Sequence, residues 1–391
     1  MKPSMLAVFA AAALGLAAPA GAAPATKFTL IDNRVFIPVA LEGHGAYAFI
    51  LDTGAPGFSI STPVMRSIGA RAEGSETGSG AGEGTETAFQ THVGDLAIGA
   101  AHWRHAAVDA QSFQALNDVI GFTRFDGVAG KPVFDRFVAD IDFRTSEIHF
   151  ADPARFAVPP GALVLPFEFY QGFLPIVPGS IGGVRGKFLV DLGDRSALTL
   201  FGPFWRAHRL DTAFGKTVTA LTGYGIGGPI RSLVARAPAF AFGPAHAAGV
   251  IVRLSLQKTG GFADPNLAGS IGTALLKRFH VFIDYPHRRF VLVPLTDAPD
   301  AYDRTGLWLG RHGTEFEIYD VVPGTPGAAA GLRAGDIVTA IDAVPVAKLD
   351  LFAVRARWRD PATTAAITLV YRRGGKAGEA RLRPAEILPH T

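Results

Sequence analysis

The feature that most constrains the fold of this chain is an internal repeat. Residues 49–54 read FILDTG and residues 188–193 read FLVDLG, so an apolar run ends in Asp-x-Gly in both segments. A second matched pair follows, GVAG at 127–130 and GSIG at 269–272. Two units of about 130 residues with the same order of features predict a pseudo-twofold protein, because such symmetry brings equivalent positions to a common axis.

Composition narrows the fold class and the chemistry. The 46 glycines and 27 prolines among 391 residues argue against a helical bundle and predict short strands joined by many turns. The chain has no cysteine, which excludes disulfides, thiolate catalysis and cysteine-ligated metal sites. The net charge is only +3, with 37 basic and 34 acidic residues mixed along the chain. We therefore expect no nucleic-acid partner.

The first 22 residues have the features of a secretory signal peptide. Lys2 precedes an apolar run over 6–18, and AGA at 20–22 is typical of a cleavage site. The run is shorter than the roughly 20 residues that span a bilayer. We expect cleavage, export (to the periplasm, in a bacterium) and no membrane span in the mature chain. An uncleaved membrane anchor is the alternative.

The repeat places Asp52 and Asp191 at the ends of equivalent strands, and Gly54 and Gly193 follow two residues later. Glycine permits a tight turn or a close backbone approach. If the halves pack about a local axis, the two carboxylates meet there and share one proton, because both cannot easily ionise. One base and one acid at the same place suit hydrolysis of a peptide bond by an activated water. A plain turn aspartate after a strand is the alternative interpretation of Asp52.

These motifs resemble the two-lobed, single-chain aspartic proteases of the retropepsin-like kind found in bacteria. The resemblance rests on FILDTGA at 49–55 and on VAG at 128–130 and SIG at 270–272, where the family packs an apolar–apolar–glycine element behind each loop. It covers about residues 27–293. It implies two β lobes, catalytic roles for both aspartates, flap hairpins over a cleft, and neither a metal nor a cofactor.

The second loop departs from the family pattern. Thr53, Gly54, Leu192 and Gly193 are expected to shape the two loops, and the family's threonine in each loop hydrogen-bonds across the axis. Thr53 retains that hydroxyl, whereas Leu192 has none. The extra Asp194 adds negative charge and is expected to raise the proton affinity of the pair. A second interpretation therefore stays open, a catalytically silent scaffold that binds peptides.

Two glycine-rich segments, 71–90 and 216–231, are expected to be the flaps, hairpins that admit a peptide and then exclude water. Plain solvent loops are the alternative.

The segment GYGIGG at 223–228 matches a dinucleotide fingerprint, but we expect no strand before it, and a proline follows in place of a helix start. His102 and His105 do not predict a metal site, because a spacing of three along a strand points to opposite faces.

The C-terminal part resembles the PDZ domains attached to bacterial periplasmic proteases. The resemblance rests on PGTPGAAAGLRAGD at 323–336. It implies that the backbone of Gly306, Leu307, Trp308 and Leu309 receives a chain terminus, and that the next strand pairs with the peptide by β-augmentation.

A helix presenting Leu349, Phe352 and Ala356 on one face is expected to wall the PDZ groove. The alternative role for the domain is packing on the lobes or self-association.

The sequence thus predicts a mainly β protein with two pseudo-twofold-related lobes followed by an α+β PDZ domain. The expected boundaries are 1–22 for the signal, 23–155 and 156–298 for the lobes, and 299–391 for the PDZ domain. The expected function is an exported aspartic endopeptidase that docks its substrate or a protein C terminus at the PDZ domain. The expected partners are peptides or proteins.

Overall fold

A computed structural model describes residues 25–296 and 298–388. The signal peptide predicted at 1–22 lies outside the described residues. The described part is mainly β, as predicted, and contains four sheets. None of its helices is long and apolar enough to cross a membrane.

The first lobe consists of short strands with three α-helices between them. Its strands are β1 (Thr26–Lys27), β2 (Thr29–Ile31), β3 (Arg34–Leu41), β4 (His44–Leu51), β5 (Phe58–Ser61), β6 (Gly74–Ser79), β7 (Thr85–Ile98), β8 (Ala101–Gln111), β9 (Gly127–Ala129), β10 (Val138–Asp142) and β11 (Glu147–Ala151). Its helices are α1 (Thr62–Ser67), α2 (Gln114–Ile120) and α3 (Lys131–Arg136).

The second lobe repeats this arrangement. Its strands are β12 (Leu163–Pro166), β13 (Glu168–Tyr170), β14 (Leu174–Ile181), β15 (Val184–Asp191), β16 (Leu198–Leu200), β17 (Val218–Gly225), β18 (Gly228–Phe242), β19 (Ala245–Ser255), β20 (Gly269–Gly272), β21 (Phe279–Asp284) and β22 (Arg289–Pro294). Its helices are α4 (Gly202–Ala207), α5 (Leu210–Ala213) and α6 (Thr273–Leu276).

The C-terminal domain is α+β. Its strands are β23 (Leu307–His312), β24 (Glu315–Val321), β25 (Ile337–Ile341), β26 (Val344–Pro345), β27 (Ile367–Arg373) and β28 (Lys376–Leu382), and its helices are α7 (Pro326–Ala329) and α8 (Leu351–Arg359). Short 3-10 turns lie at Pro153–Arg155, Gly261–Ala263 and Val346–Lys348.

The two lobes have the same strand order. The first sheet runs β2-β3-β4-β9-β5-β8-β7-β6, and the second runs β13-β14-β15-β20-β16-β19-β18-β17. In each, the strand that leads to Asp-x-Gly pairs in parallel with the strand that carries the later glycine element. The sequence repeat therefore corresponds to a structural repeat.

A six-stranded sheet joins the lobes, in the order β1-β11-β10-β21-β22-β12. Its central strands, β10 and β21, come from different lobes and pair antiparallel, with Ile141 opposite Val281. Both side chains are fully buried. Apolar residues of the two lobes thus form one continuous core, which fixes the lobes relative to each other.

Local signals place the helices that follow the Asp-x-Gly loops. The N-cap of α1 is Ser61, whose hydroxyl accepts the Val64 N–H at 3.3 Å. Pro63 in α1 and Pro203 in α4 lie in the first turn, where a missing N–H costs nothing. Both units therefore carry a short helix with a proline in its first turn after the Asp-x-Gly loop.

The helix face predicted for the PDZ domain is partly wrong. Helix α8 begins at Leu351, after the N-cap Asp350, so Leu349 precedes it, and Ala356 is exposed. The face that enters the domain core carries Leu351, Val354 and Trp358. The apolar spacing in the sequence fits both registers, and the cap at Asp350 selects this one.

Candidate active site

The Asp52 and Asp191 side chains are positioned by the same local architecture. Strand β4 ends at Leu51, and the Asp52 N–H donates to the carbonyl of Ala129 on β9 at 3.0 Å. Strand β15 ends at Asp191, which lies opposite Gly272 on the parallel strand β20. In both lobes a parallel pairing thus holds the aspartate where the strand turns.

The structure brings the two carboxyl groups together, close enough for the charge of Asp52 to act on the carboxyl group of Asp191. Each carboxyl group also lies against the opposite loop. A Cβ placed on Gly193 would lie 2.4 Å from Oδ2 of Asp52, and one on Gly54 would lie 3.1 Å from the Asp191 carboxyl oxygens. Any larger residue at Gly193 would displace the Asp52 carboxyl group, so the close approach requires glycine there.

Backbone amides orient both side chains. The Gly54 N–H donates to Oδ1 of Asp52 at 2.7 Å. The N–H groups of Gly193 and Asp194 donate to Oδ1 of Asp191 at 2.8 and 3.1 Å. Among the described residues, neither carboxyl group takes part in a salt bridge to a basic side chain. The pair is therefore not neutralised by a fixed cation.

Burial and mutual repulsion favour a shared proton. Burial raises the pKa of Asp52, although its hydrogen bonds to Asp191 and Gly54 act in the opposite direction. Burial, the charge of Asp52 and the charge of Asp194 raise the pKa of Asp191 well above its ordinary value. We assign the proton to Asp191 on this basis, which leaves Asp52 ionised. The sequence prediction that Asp194 raises proton affinity agrees with this direction.

One half of the link between the loops is present. The Thr53 hydroxyl donates to the Val190 carbonyl at 2.7 Å and accepts the Leu192 N–H at 3.0 Å. Leu192 is fully buried and contributes only packing. Its carbonyl accepts the Thr273 hydroxyl at 2.8 Å. The Asp191 loop (residues 191–194) is thus held by hydroxyls outside its own sequence.

Sequence reasoning missed two residues beside the pair. The Arg34 side chain donates from Nε to the Gly193 carbonyl at 3.1 Å. The buried Tyr285 hydroxyl donates to the Thr53 carbonyl at 3.3 Å, and burial raises the pKa of this phenol well above its ordinary value. Neither Arg34 nor Tyr285 belongs to the repeated motifs described in the sequence.

Both predicted flaps are hairpins. The first consists of β6 and β7 and the second of β17 and β18. Strand β17 leads directly into the glycine-rich segment, contrary to our expectation, but the chain continues into β18 and not into a helix. The hairpin tips touch, since the N–H groups of Gly82 and Gly84 donate to the carbonyls of Ile226 and Gly227 at 2.8 and 2.7 Å.

A cleft of about 980 Å³ lies beneath the flaps, and both aspartates line it. Its walls combine apolar and charged side chains. The apolar ones include Phe113, Ile120 and Phe122 of the first lobe and Phe201 and Phe262 of the second. A cleft of this size and character suits an extended peptide with apolar side chains. No group of three or more metal-ligating side chains occurs within the described ranges.

The predicted carboxylate-binding loop lies at the start of β23, and its first amides are already bonded. The half-buried Asp303 carboxyl group accepts the N–H groups of Thr305 and Gly306 at 2.9 and 2.6 Å. The Leu307 N–H donates to the Thr305 hydroxyl at 3.2 Å. Trp308 and Leu309 continue into β23, the edge strand that faces α8.

The groove between β23 and α8, here called the PDZ groove, contains residues 119–122 of the first lobe. The Trp308 indole N–H donates to the Val119 carbonyl at 3.1 Å. The Phe122 ring stacks on Phe352 of α8, with centroids 5.7 Å apart. A segment of this chain thus lies where the sequence predicted a foreign peptide.

Comparison with known protein families gives two matches. Residues 37–121, which include Asp52, match a family described as aspartyl protease. Residues 317–370 match a family described as PDZ domain. These matches confirm the resemblances drawn from the sequence. None of the curated proteins matches this chain. Fold, site and matches define a protein with an aspartyl-protease-like fold followed by a PDZ domain.

Proposed function

We propose that this protein is an aspartic endopeptidase that hydrolyses peptide bonds with a water activated by Asp52 and Asp191. The observation that carries the proposal is the half-buried pair of carboxyl groups that face each other in the cleft beneath the flaps. A pair that shares one proton supplies a base and an acid to the same substrate bond.

The protonation states assign the roles. Asp52, ionised, removes a proton from the attacking water, while Asp191, protonated, donates its proton to the oxygen of the scissile carbonyl. The tetrahedral diol then collapses, as Asp52 passes its proton to the leaving nitrogen and Asp191 recovers one from the diol. The amides that hold each Oδ1 keep both carboxyl groups oriented.

Export belongs to this proposal. The signal features at 1–22 support a secreted enzyme, periplasmic in a bacterium, that is released from the membrane by cleavage. The absence of cysteine is compatible with folding there without disulfides.

A catalytically silent peptide-binding scaffold is the competing function, and Leu192 is the observation that favours it. Its lack of a hydroxyl removes one of the two links between the loops expected in the family. The hydroxyls of Thr53 and Thr273 nevertheless hold the Leu192 backbone on both sides, which supports a loop ordered well enough for chemistry.

Incubation of the mature chain with a diverse peptide pool from acidic to neutral pH tests the proposal. We expect internal cleavage that a statine-type inhibitor blocks. Either Asp52→Ala or Asp191→Ala should lower the rate by at least about 10³-fold without unfolding the protein. The exposed substitution Asp152→Ala in the interlobe linker is the matched control. Undiminished turnover by Asp191→Ala would remove this residue from the mechanism.

A further inference from the structure

We propose that the PDZ domain is an internal clamp, which binds residues 119–122 of the first lobe in its groove and thereby fixes one wall of the cleft. These four residues are here called the clamp segment. A foreign peptide can then bind in the groove only by displacing the clamp segment. The proposal rests on the proposed function only where it treats the cleft as a substrate site. The clamp itself is a contact within the chain and does not depend on hydrolysis.

Three consecutive carbonyls of the clamp segment are bonded by the PDZ domain. The carbonyls of Val119, Ile120 and Gly121 end helix α2, where the last carbonyls have no partners within the helix. They accept the Trp308 indole N–H at 3.1 Å, Nη1 of Arg355 at 2.7 Å and Nε of Arg311 at 2.8 Å, respectively. Cationic donors at a helix C-terminus also complement its partial negative charge. The PDZ domain thus acts as the cap of α2.

The contact is buried and shape-specific. Ile120 is fully buried, and the Arg355 side chain is almost so. A Cβ on Gly121 would lie 2.2 Å from Cδ2 of Leu351 on α8, so the backbone of the clamp segment lies directly against the helix. A surface contact made by chance would not seat three backbone acceptors on three side-chain donors.

The backbone groups that a PDZ groove offers to a peptide C terminus already have partners within this chain. The half-buried Asp303 carboxyl group accepts the N–H groups of Thr305 and Gly306 at the start of the loop. On the edge strand, Arg355 also donates to the Leu309 carbonyl, a group that β-augmentation would offer to a peptide N–H. Both observations indicate that the groove is built to hold a segment of this chain.

The clamp segment connects the PDZ groove to the cleft. Ile120 and Phe122 are bonded to or packed on the PDZ domain, and both also line the cleft. The PDZ domain further contacts the second flap, since Asp320 accepts the Leu221 N–H at 2.7 Å and pairs with Arg231 at 3.0 Å. Loss of the clamp is therefore expected to loosen the first-lobe wall and to leave the aspartate pair in place.

Hydrogen exchange on the full mature chain tests the clamp without any assay of hydrolysis. The Gly121 N–H, bonded to the Asn117 carbonyl at 2.9 Å, is the reporter. We expect Arg355→Gln and the milder Trp308→Phe to speed its exchange about tenfold, as loss of a hydrogen bond to the helix end implies. Amides of β18 serve as the reference for global unfolding. The matched control is Arg357→Gln, on the same helix but paired only with Asp342.

If Gly121 exchanges at the wild-type rate in both Arg355→Gln and Trp308→Phe, the clamp proposal is wrong. A second arm adds a synthetic decapeptide with a free apolar C terminus to the wild-type chain. No binding, or binding that speeds Gly121 exchange, agrees with an occupied groove. Binding that slows exchange of the β23 amides but leaves Gly121 exchange unchanged would contradict the proposal, since the peptide would then occupy the groove beside an undisturbed clamp segment.

Kinetics separate this proposal from the proposed function. If the chain hydrolyses peptides, Arg355→Gln should raise KM several-fold with kcat within about twofold of wild type, because binding surface is lost while the aspartates remain. If the wild-type chain hydrolyses none, the proposed function fails, and the exchange experiment still decides the clamp.

Discussion

At the residue scale, a single hydroxyl joins the two aspartate loops. The Thr53 hydroxyl is buried and bridges the Val190 carbonyl and the Leu192 N–H. No hydroxyl at position 192 shares this role. The relative position of Asp52 and Asp191 therefore depends on Thr53 more than it would in a symmetric pair of loops.

We expect Thr53→Val to lower the free energy of unfolding by about 1–3 kcal/mol, because two buried backbone groups lose their partner while the side-chain volume is kept. The rate of peptide hydrolysis should fall with it. Thr53→Ser, which keeps the hydroxyl, should stay close to wild type. Urea denaturation and initial rates on one peptide measure both effects. Equal stability of the valine and serine variants would show that the bridge contributes nothing.

The sequence predicted the aspartate pair because its two residues belong to a repeat that is visible without a structure. It did not predict Arg34, which reaches Gly193 in the other lobe across 159 positions of sequence. A contact of this kind depends on how two lobes pack, and no local pattern encodes it.

At the element scale, the flaps close over the cleft through their tips. The backbone of Gly82 lies so close to the second hairpin that a Cβ there would be 2.3 Å from the carbonyl carbon of Gly227. In the same hairpin, a Cβ on Gly78 would meet nothing within 4 Å. The contact between the flap tips therefore requires glycine at position 82 but not at position 78.

We expect Gly82→Ala to separate the flap tips, because the added methyl group meets backbone and not a flexible side chain. Loss of the two tip hydrogen bonds should shift the closed-to-open balance by about tenfold or more. Exchange of the Gly84 amide should speed up and kcat/KM should fall. Gly78→Ala is the control and should match wild type. Identical kinetics of the two variants would argue against closure by tip contact.

Strands and hairpins could be predicted from the sequence where the pattern that specifies them lies within the element itself. The short strands and the two glycine-rich hairpins were predicted from the sequence. The occupied PDZ groove was not, because the clamp segment and its donors are about 190 residues apart in sequence. The register of α8 was wrong for a smaller reason, since apolar residues on two of its faces fit the same helical spacing.

At the scale of the whole molecule, Asp32 lies where both lobes and the PDZ domain meet. Its side chain is 1% exposed and pairs with Arg34 at 3.0 Å and with Arg195 at 2.5 Å. Arg359 of the PDZ domain lies 4.0 Å away. Burial acts to raise the pKa of Asp32, but the charges of Arg195 and Arg34 hold it well below its usual range. One carboxylate thus interacts with arginines from all three parts of the molecule.

We expect Asp32→Asn to destabilise the protein by about 3–5 kcal/mol, because buried arginines lose their counter-charge. The folded-state pKa lies below the unfolded value of about 3.9, so this stabilisation is present at higher pH and is lost as the pH falls below that value. Denaturant unfolding at neutral and acidic pH measures the difference, with the exposed Asp152→Asn as control. A difference between the variants that stays constant down to strongly acidic pH would contradict this account.

Carbon-13 NMR titration of aspartate-labelled protein, assigned with Asp52→Asn and Asp191→Asn variants, tests the shared proton directly. We predict that Asp52 ionises first and that Asp191 stays protonated far above the pH at which exposed aspartates lose their protons. Substitution of either member should abolish this splitting. Two independent titrations near the ordinary aspartate value in the wild-type protein would contradict the account at its centre.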